Sequence, residues 1–254
     1  MTSLSPDFEV RLAGTEAERD AALRLRYEVF VAELGGDGAL VDHAARRERD
    51  AFDAHADQLL LLDHARQGGA QVVGVYRLLD RAGAEAAGGF YSAGEYDLDP
   101  LLRSGRRLLE LGRSCLHRDY RGGSAMYHLW QGLAQLVADR GIEVLFGVAS
   151  FHGTDTAALA EPLSLLHWRH RAPAALRVSS RVPARMDLIP EDRLDRRRAM
   201  LQVPALIKAY LRLGGAVGEG AYIDRDFNTT DVCLVMDTAQ LNARRRAIYA
   251  GAGA

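Results

Sequence analysis

A mixed α/β sheet covered by helices is the fold class predicted, and three observations carry it. Strand-like and helix-like segments alternate along much of the chain. The run Ile142 to Ser150 is almost uninterruptedly apolar, as a strand covered on both faces must be. A glycine turn, RGGS, leads into a segment whose apolar residues Met126, Leu129, Trp130, Leu133 and Val137 recur at helical spacing.

The elements follow in order. Phe8 to Ala13 alternates like a short strand. Thr15 with Glu18 forms a capping box opening a helix whose apolar face runs Ala21, Leu25, Val29 and which should end near Gly35. Residues 35 to 56 are polar, charged and glycine-rich, too long for a tight connection, so they read as a functional loop. Gln58 to His64 and Gln71 to Asp80 are apolar, and the ARQGGA between them suits an antiparallel hairpin. Residues 81 to 106 read as an insertion. Arg107 to His117 resumes strand character, and the helix after RGGS spans about Ser124 to Arg140 with Gly141 behind it. Beyond the apolar run, Thr156 to Trp168 and Pro204 to Leu213 suit helices, the second closed by Gly214, and Val232 to Met236 a last strand. With no repeat and no linker, one domain is the simplest account, with a core at about 8–168 and a C-terminal elaboration at about 169–240.

Composition narrows the class. The chain has 254 residues, 48% hydrophobic and 26% charged, ordinary for a soluble domain with a sizeable core. Its longest apolar stretches, such as Leu59 to Leu62, fall far short of the roughly 20 residues a membrane helix needs. The start, MTSLSPDFEV, lacks a secretory pattern, and two cysteines, Cys115 and Cys233, cannot make a disulfide framework. A cytoplasmic, reduced protein is expected. Against 34 acidic residues stand 32 basic ones, of which only Lys208 is lysine, so the formal charge of -2 gives no reason to expect a nucleic-acid partner.

The most informative segment is LLELGRSC, Leu108 to Cys115. Strand alternation puts Glu110 inside an apolar element, which is costly unless the carboxylate is used or paired. Arg113 would face away from it in a regular strand; a bulge at Gly112 would return both to one side and turn a backbone N–H outward, where it could receive an oxyanion. A buried Glu110–Arg113 ion pair is the simpler alternative. Arg77, in GVYRLL, is a second charge in an apolar strand. Arg26 with Phe30 one turn on, and Asp50 with Asp53 in RDAFD, add a charge with an anchor and a pair of loop carboxylates. YRGGSA offers free amides at a helix N-terminus beside Arg121, suited to a phosphate. No G-x-S-x-G elbow and no histidine followed by aspartate five positions later are present, and His167 and His170 lack metal-site context, so no metal is expected. His152 and Asp155 in SFHGTD suit a loop cap as well as a site. HWRHR and Asp195 to Arg198, DRRR, could touch an acidic carrier or anionic headgroups; solvated arginine-rich surface is the simpler reading.

Together these pieces resemble the GNAT-superfamily acyltransferases that draw on acyl carrier protein. Acyl-homoserine-lactone synthases carry R-x3-F, D-x2-D, a strand arginine in G-x2-R-L and E-x2-R in that order; here these are Arg26 with Phe30, Asp50 with Asp53, Arg77, and Glu110 with Arg113. A closer resemblance, to the bacterial ornithine N-acyltransferases that make lyso-ornithine lipid, runs from Leu25 to Asp237 through LRYEVF, DAFDAHADQLLL, VVGVYRLL, YSAGEYDL, LELGRSCLHRDYRGG, LFGVASFHGTD, PALIKAYLRLGGAVGEGAYID and FNTTDVCLVMD. The lactone synthases typically have a tryptophan six residues after the phenylalanine, where this chain has Gly36, and are shorter at the C-terminus. The GNAT pyrophosphate turn, R/Q-x2-G-x-G/A, is met only at Gly123 and Ala125, with Tyr120 in the basic or amide position, which speaks against free coenzyme A as donor.

The resemblance implies a GNAT-like sheet with a C-terminal extension. It also implies transfer of a 3-hydroxyacyl chain from acyl carrier protein, through its phosphopantetheine and with no tightly bound cofactor, to the α-amine of L-ornithine. Within it, Glu110 is the proton acceptor, its basicity raised by burial and opposed by Arg113. Arg77 or Arg113 would clamp the amino-acid carboxylate, and Asp50, Asp53 or Asp57 would meet the distal ammonium. Arg121, Gly122, Gly123 and Ser124 would receive the pantetheine phosphate, and Cys115 needs no nucleophilic role if transfer is direct. The rivals are a homoserine-lactone or other N-acyl amino-acid synthase, and a noncatalytic module binding carrier or membrane. A lipid product implies peripheral contact with the inner membrane at most.

Overall fold

The computed structural model describes residues 5–66 and 71–240, so most of the expected ARQGGA turn and the alanine-rich tail lie outside the described residues. In chain order its strands and α-helices are β1 Phe8–Leu12, α1 Glu16–Arg26, β2 Asp57–Asp63, β3 Val72–Asp80, α2 Arg81–Ala87, β4 Tyr96–Asp97, α3 Asp99–Arg103, β5 Leu108–Leu116, α4 Ala125–Asp139, β6 Val144–His152, α5 Ala160–Arg169, β7 Ser179–Ser180, α6 Arg196–Gln202, α7 Ala205–Arg212, β8 Ala216–Val217, β9 Tyr222–Asp224 and β10 Thr229–Asp237. They fall into two compact units: residues 5–66, 71–88 and 111–141 form the first, residues 89–110 and 142–240 the second, and the chain passes between them within β5.

The first unit holds strands in the order β1-β2-β3-β5, with β1–β2 and β2–β3 antiparallel. After Asp57 every residue of β2 is buried, which is why it reads as a run of leucines rather than an alternation. On one face Ala22, Leu25 and Val29 pack with Leu60, Leu62, Val72, Val75 and Cys115. On the other Leu61, Leu116 and Leu129 of α4 close around Gly74. The expected capping box is present: the Glu18 amide donates to Thr15 Oγ1 at 3.2 Å and the Thr15 amide to Glu18 Oε2 at 3.1 Å. Beyond Arg26 the helix widens into a π turn, Tyr27–Glu33, and stops where Gly35 turns to φ 74°, as expected.

In the second unit β6 lies between two neighbours. It is antiparallel to β10, from Thr229↔His152 to Asp237↔Val144, and parallel to the start of β5, from Leu108↔Val144 to Glu110↔Phe146. β10 also pairs with β8 and β9, and β4 with β7. α5 packs on α6 and β8, α7 on β10. Several boundaries move, among them the last strand, which begins at Thr229 rather than Val232. The apolar strand begins at Val144 rather than Ile142, and the helix expected from Thr156 starts at Ala160, because the Asp155 carboxylate accepts from the amides of Ala157 (2.9 Å) and Ala158 (3.3 Å) and holds a turn first. The expected insertion carries α2, β4 and α3. Both units are mixed α/β, mostly antiparallel and flanked by helices, the class expected. Among the described residues no helix is long and apolar enough to cross a membrane.

Candidate active site

Five of the expected site residues meet in the first unit, with one the sequence reading missed. Arg26, wholly buried, donates from Nε to Glu48 Oε2 at 2.6 Å and through both terminal nitrogens to Asp53, at 2.5 and 3.0 Å. Arg77 donates to Asp50 Oδ1 at 2.5 Å and lies over the Phe52 ring, 5.6 Å from its centroid. Arg113 donates from Nε to Glu48 Oε1 and from Nη2 to Asp50 Oδ2, both at 3.1 Å. Three cations and three carboxylates thus balance in a largely buried net, the condition under which charge can leave water. Glu48, 1% exposed, bridges two arginines. Its partners stand 22 and 65 residues away, so no local spacing announced it.

The D-x2-D spacing has a local cause. Asp50 caps the short 3-10 turn Ala51–Ala54, accepting from the Phe52 amide at 2.9 Å, while Asp53 reaches back to the Asp50 amide at 2.8 Å. Asp53 also takes Gln58 Nε2 at 3.1 Å, so four donors surround it. Burial pushes the Asp53 carboxyl up, but the Arg26 charge and hydrogen bonds, the Arg77 charge and the Asp50 amide outweigh it and hold it at about 2. Asp50 is the most exposed member of the net, its side chain 21% exposed. Phe30 is partly buried against the α1 core, and Asp57 stands apart, half exposed and paired with Arg140 at 2.7 Å.

The backbone irregularity expected at Gly112 lies one residue on: Arg113 takes φ 50°, uncommon outside glycine and costing about 1–3 kcal/mol. A Cβ on Gly112 would stand 3.6 Å from Nε and Nη2 of Arg77. Cys115 is buried in apolar surroundings that push its thiol up to about 12, unsuited to nucleophilic attack.

Glu110 belongs to the second unit and is 3% exposed. Its two oxygens accept the backbone amides of Tyr91 (2.8 Å) and Ser92 (2.6 Å), an arrangement suited to a carboxylate anion. The 3-10 turn that supplies them, Tyr91–Gly94, lies in the segment expected only to be an insertion. Elsewhere in this unit carboxylate oxygens of Glu95, Asp224 and Asp231 lie within 4.8 Å of one another.

The glycine turn, in the first unit, is open. Arg121, Gly122, Gly123 and Ser124 are all exposed, Gly122 has φ 80°, and a Cβ on either glycine would meet nothing within 4 Å. Ser124 caps α4. Arg121 donates to Glu33 Oε2 at 2.8 Å and to the Leu116 carbonyl at 3.1 Å. Tyr120 does not present itself to a ligand; its hydroxyl donates to Asp63 at 2.6 Å and ties the turn to the end of β2.

The acetyltransferase (GNAT) domain family matches residues 25–131, which hold the ionic net, Glu110 and the glycine turn. An L-ornithine N(alpha)-acyltransferase of Rhodobacter capsulatus is 54% identical over 98% of this chain and 97% of its own. The chain belongs to the L-ornithine N(alpha)-acyltransferase family. A second member, from Brucella abortus, is 42% identical over 95% of this chain and 88% of its own. Among solved structures, this acyltransferase shares its fold with an N-acyl amino acid synthase from uncultured soil microbes (TM-score 0.57, 13% identity, 95% of this chain and 98% of that one). It also shares it with the acyl-homoserine-lactone synthase LasI (TM-score 0.52, 16% identity, 96% and 95%).

Proposed function

We propose that this acyltransferase moves a 3-hydroxyacyl chain from acyl carrier protein to the α-amine of L-ornithine, giving lyso-ornithine lipid and holo carrier. The observation that carries the reading is the 54% identity, end to end, with a protein named L-ornithine N(alpha)-acyltransferase. The amine must shed a proton to attack the thioester carbonyl, and Glu110 takes it, directly or through a water. The C–N bond forms, and collapse of the tetrahedral intermediate breaks the C–S bond so that the pantetheine thiol leaves with a proton. Two backbone amide donors fix the Glu110 oxygens in place.

Substrate recognition divides by charge. As the most exposed member of the net, Asp50 is the partner for ornithine's distal ammonium. Arg113, 12% exposed against 3% for Arg77, is the arginine that meets the α-carboxylate. The open turn from Arg121 to Ser124 receives the pantetheine phosphate, with Arg121 and the first amides of α4 as donors.

Incubating the protein with 3-hydroxyacyl carrier and a panel of ornithine, lysine, glutamine and S-adenosylmethionine, then weighing the products, tests the reading. N-acylornithine is expected. Acyl-homoserine lactone as the main product overturns the acceptor, and no product with any acceptor overturns the activity. Glu110→Gln is expected to lower turnover about 100-fold or more with the fold intact by circular dichroism; near-normal turnover removes Glu110 as the base.

A further inference from the structure

The outer face of α6, in the second unit, matches no part of the proposed chemistry. Residues 191–213 hold six basic and three acidic side chains in a chain whose formal charge is -2. Two of the three acids are occupied: Asp195 caps α6 through the amides of Arg197 and Arg198, and Glu191 pairs with Arg169 at 2.9 Å and Arg196 at 3.6 Å, while Asp192 is exposed beside Arg193. The inner face buries Ala199 completely. Arg197, Leu201 and Arg198 lie on the opposite arc, being four and three residues apart on the helix. Leu201 is 79% exposed, the most exposed large apolar side chain among the described residues, and Lys208 donates to its carbonyl at 2.9 Å. Arg193 and Arg197 are exposed and have no ion pair among the described residues, and the Arg198 side chain stays 70% exposed beside Glu161.

We infer that this face is a peripheral docking surface for anionic phospholipid, with Leu201 entering the headgroup boundary and Arg193, Arg197 and Arg198 meeting lipid phosphates. A single apolar tip among arginines is too small an anchor for a stable protein interface, which takes about 800 Å² per partner. It suits a bilayer boundary, where arginine stems lie along the apolar layer and their heads stay wet. Each cation near an anionic leaflet contributes about fivefold to binding. Three of them with one leucine give the weak, reversible attachment that lets an enzyme release an acylated product into lipid and return for another donor. Only that purpose rests on the proposed reaction; the surface does not.

Co-sedimentation of the full chain with phosphatidylcholine vesicles, with and without an equal part of phosphatidylglycerol, tests this. Binding to the anionic vesicles alone, abolished by high salt, is expected. Arg197→Glu should weaken it about 25-fold, one lost and one opposed charge, and Leu201→Glu at least tenfold, with turnover of 3-hydroxyacyl carrier in vesicle-free buffer unchanged. Equal binding by wild type and both variants, or none by wild type, overturns the surface. A rise in the KM for carrier in either variant, with lipid binding unaltered, makes the face a carrier dock and also overturns it. Vesicle-free turnover by the wild type reports separately on the proposed reaction.

Discussion

Arg26 carries a full charge where solvent does not reach, and it can do so only because Glu48 and Asp53 together satisfy three of its nitrogens. Taking one carboxylate away strands a buried cation. Glu48→Gln should therefore cost about 3 kcal/mol of stability in urea unfolding, whereas Asp57→Asn, on the surface pair with Arg140, should cost less than about 1 kcal/mol. Asp53 adds a pH signature. Its folded value, about 2, lies below the ordinary 3.8, so its contribution is complete above pH 4 and lost as the pH falls through 2. That depression corresponds to about 2 kcal/mol. The wild type should lose that much more stability than Asp53→Asn between pH 4 and pH 2, compared by urea midpoints, and parallel losses would contradict the assignment. At this scale Asp50 and Asp53 were legible only through the D-x2-D resemblance, since alone they read as loop carboxylates; the cap that fixes their spacing is seen in the structure. Glu48 was not, because two distant arginines give it its role.

Elements were legible where a local rule fixed them: Thr15 with Glu18 at the start of α1, the glycines closing α4 and α7, the apolar run of β6. Two-residue strands such as β4, β7 and β8 have no period to read, and their pairings are decided by partners tens of residues away. The same limit hid the turn that cradles Glu110. Packing between elements also explains a residue that sequence left without a reason. Gly132 sits in mid-helix, where glycine is a poor choice, yet a Cβ there would come within 2.1 Å of Val10 Cγ1. The glycine lets α4 lie against β1. Gly132→Ala should destabilise the protein by about 1–3 kcal/mol, and Val10→Ala in the same chain should recover part of that loss; a thermal midpoint unchanged by Gly132→Ala would show that the helix can shift without cost.

For the whole molecule, a net charge near zero leaves no long-range field to gather an anionic donor, so donor capture falls to local groups. On the proposed reaction the open glycine turn is one, and its electrostatics are set by a pair: Arg121 offers a hydrogen-bond donor, and Glu33, 2.8 Å away, offsets its charge. The side chains are 45% and 28% exposed, so salt screens the effect without abolishing it. The two partners must therefore act in opposite directions on the donor and leave the acceptor untouched. Arg121→Glu should raise the KM for 3-hydroxyacyl carrier about tenfold, a change of about 1.4 kcal/mol, with kcat and the KM for ornithine near wild type. Glu33→Gln, which frees the guanidinium, should lower the KM for carrier, and both shifts should shrink as salt is added. Motion of both variants in the same direction would mean that the pair only braces the turn, and the phosphate would have to be met elsewhere on the chain.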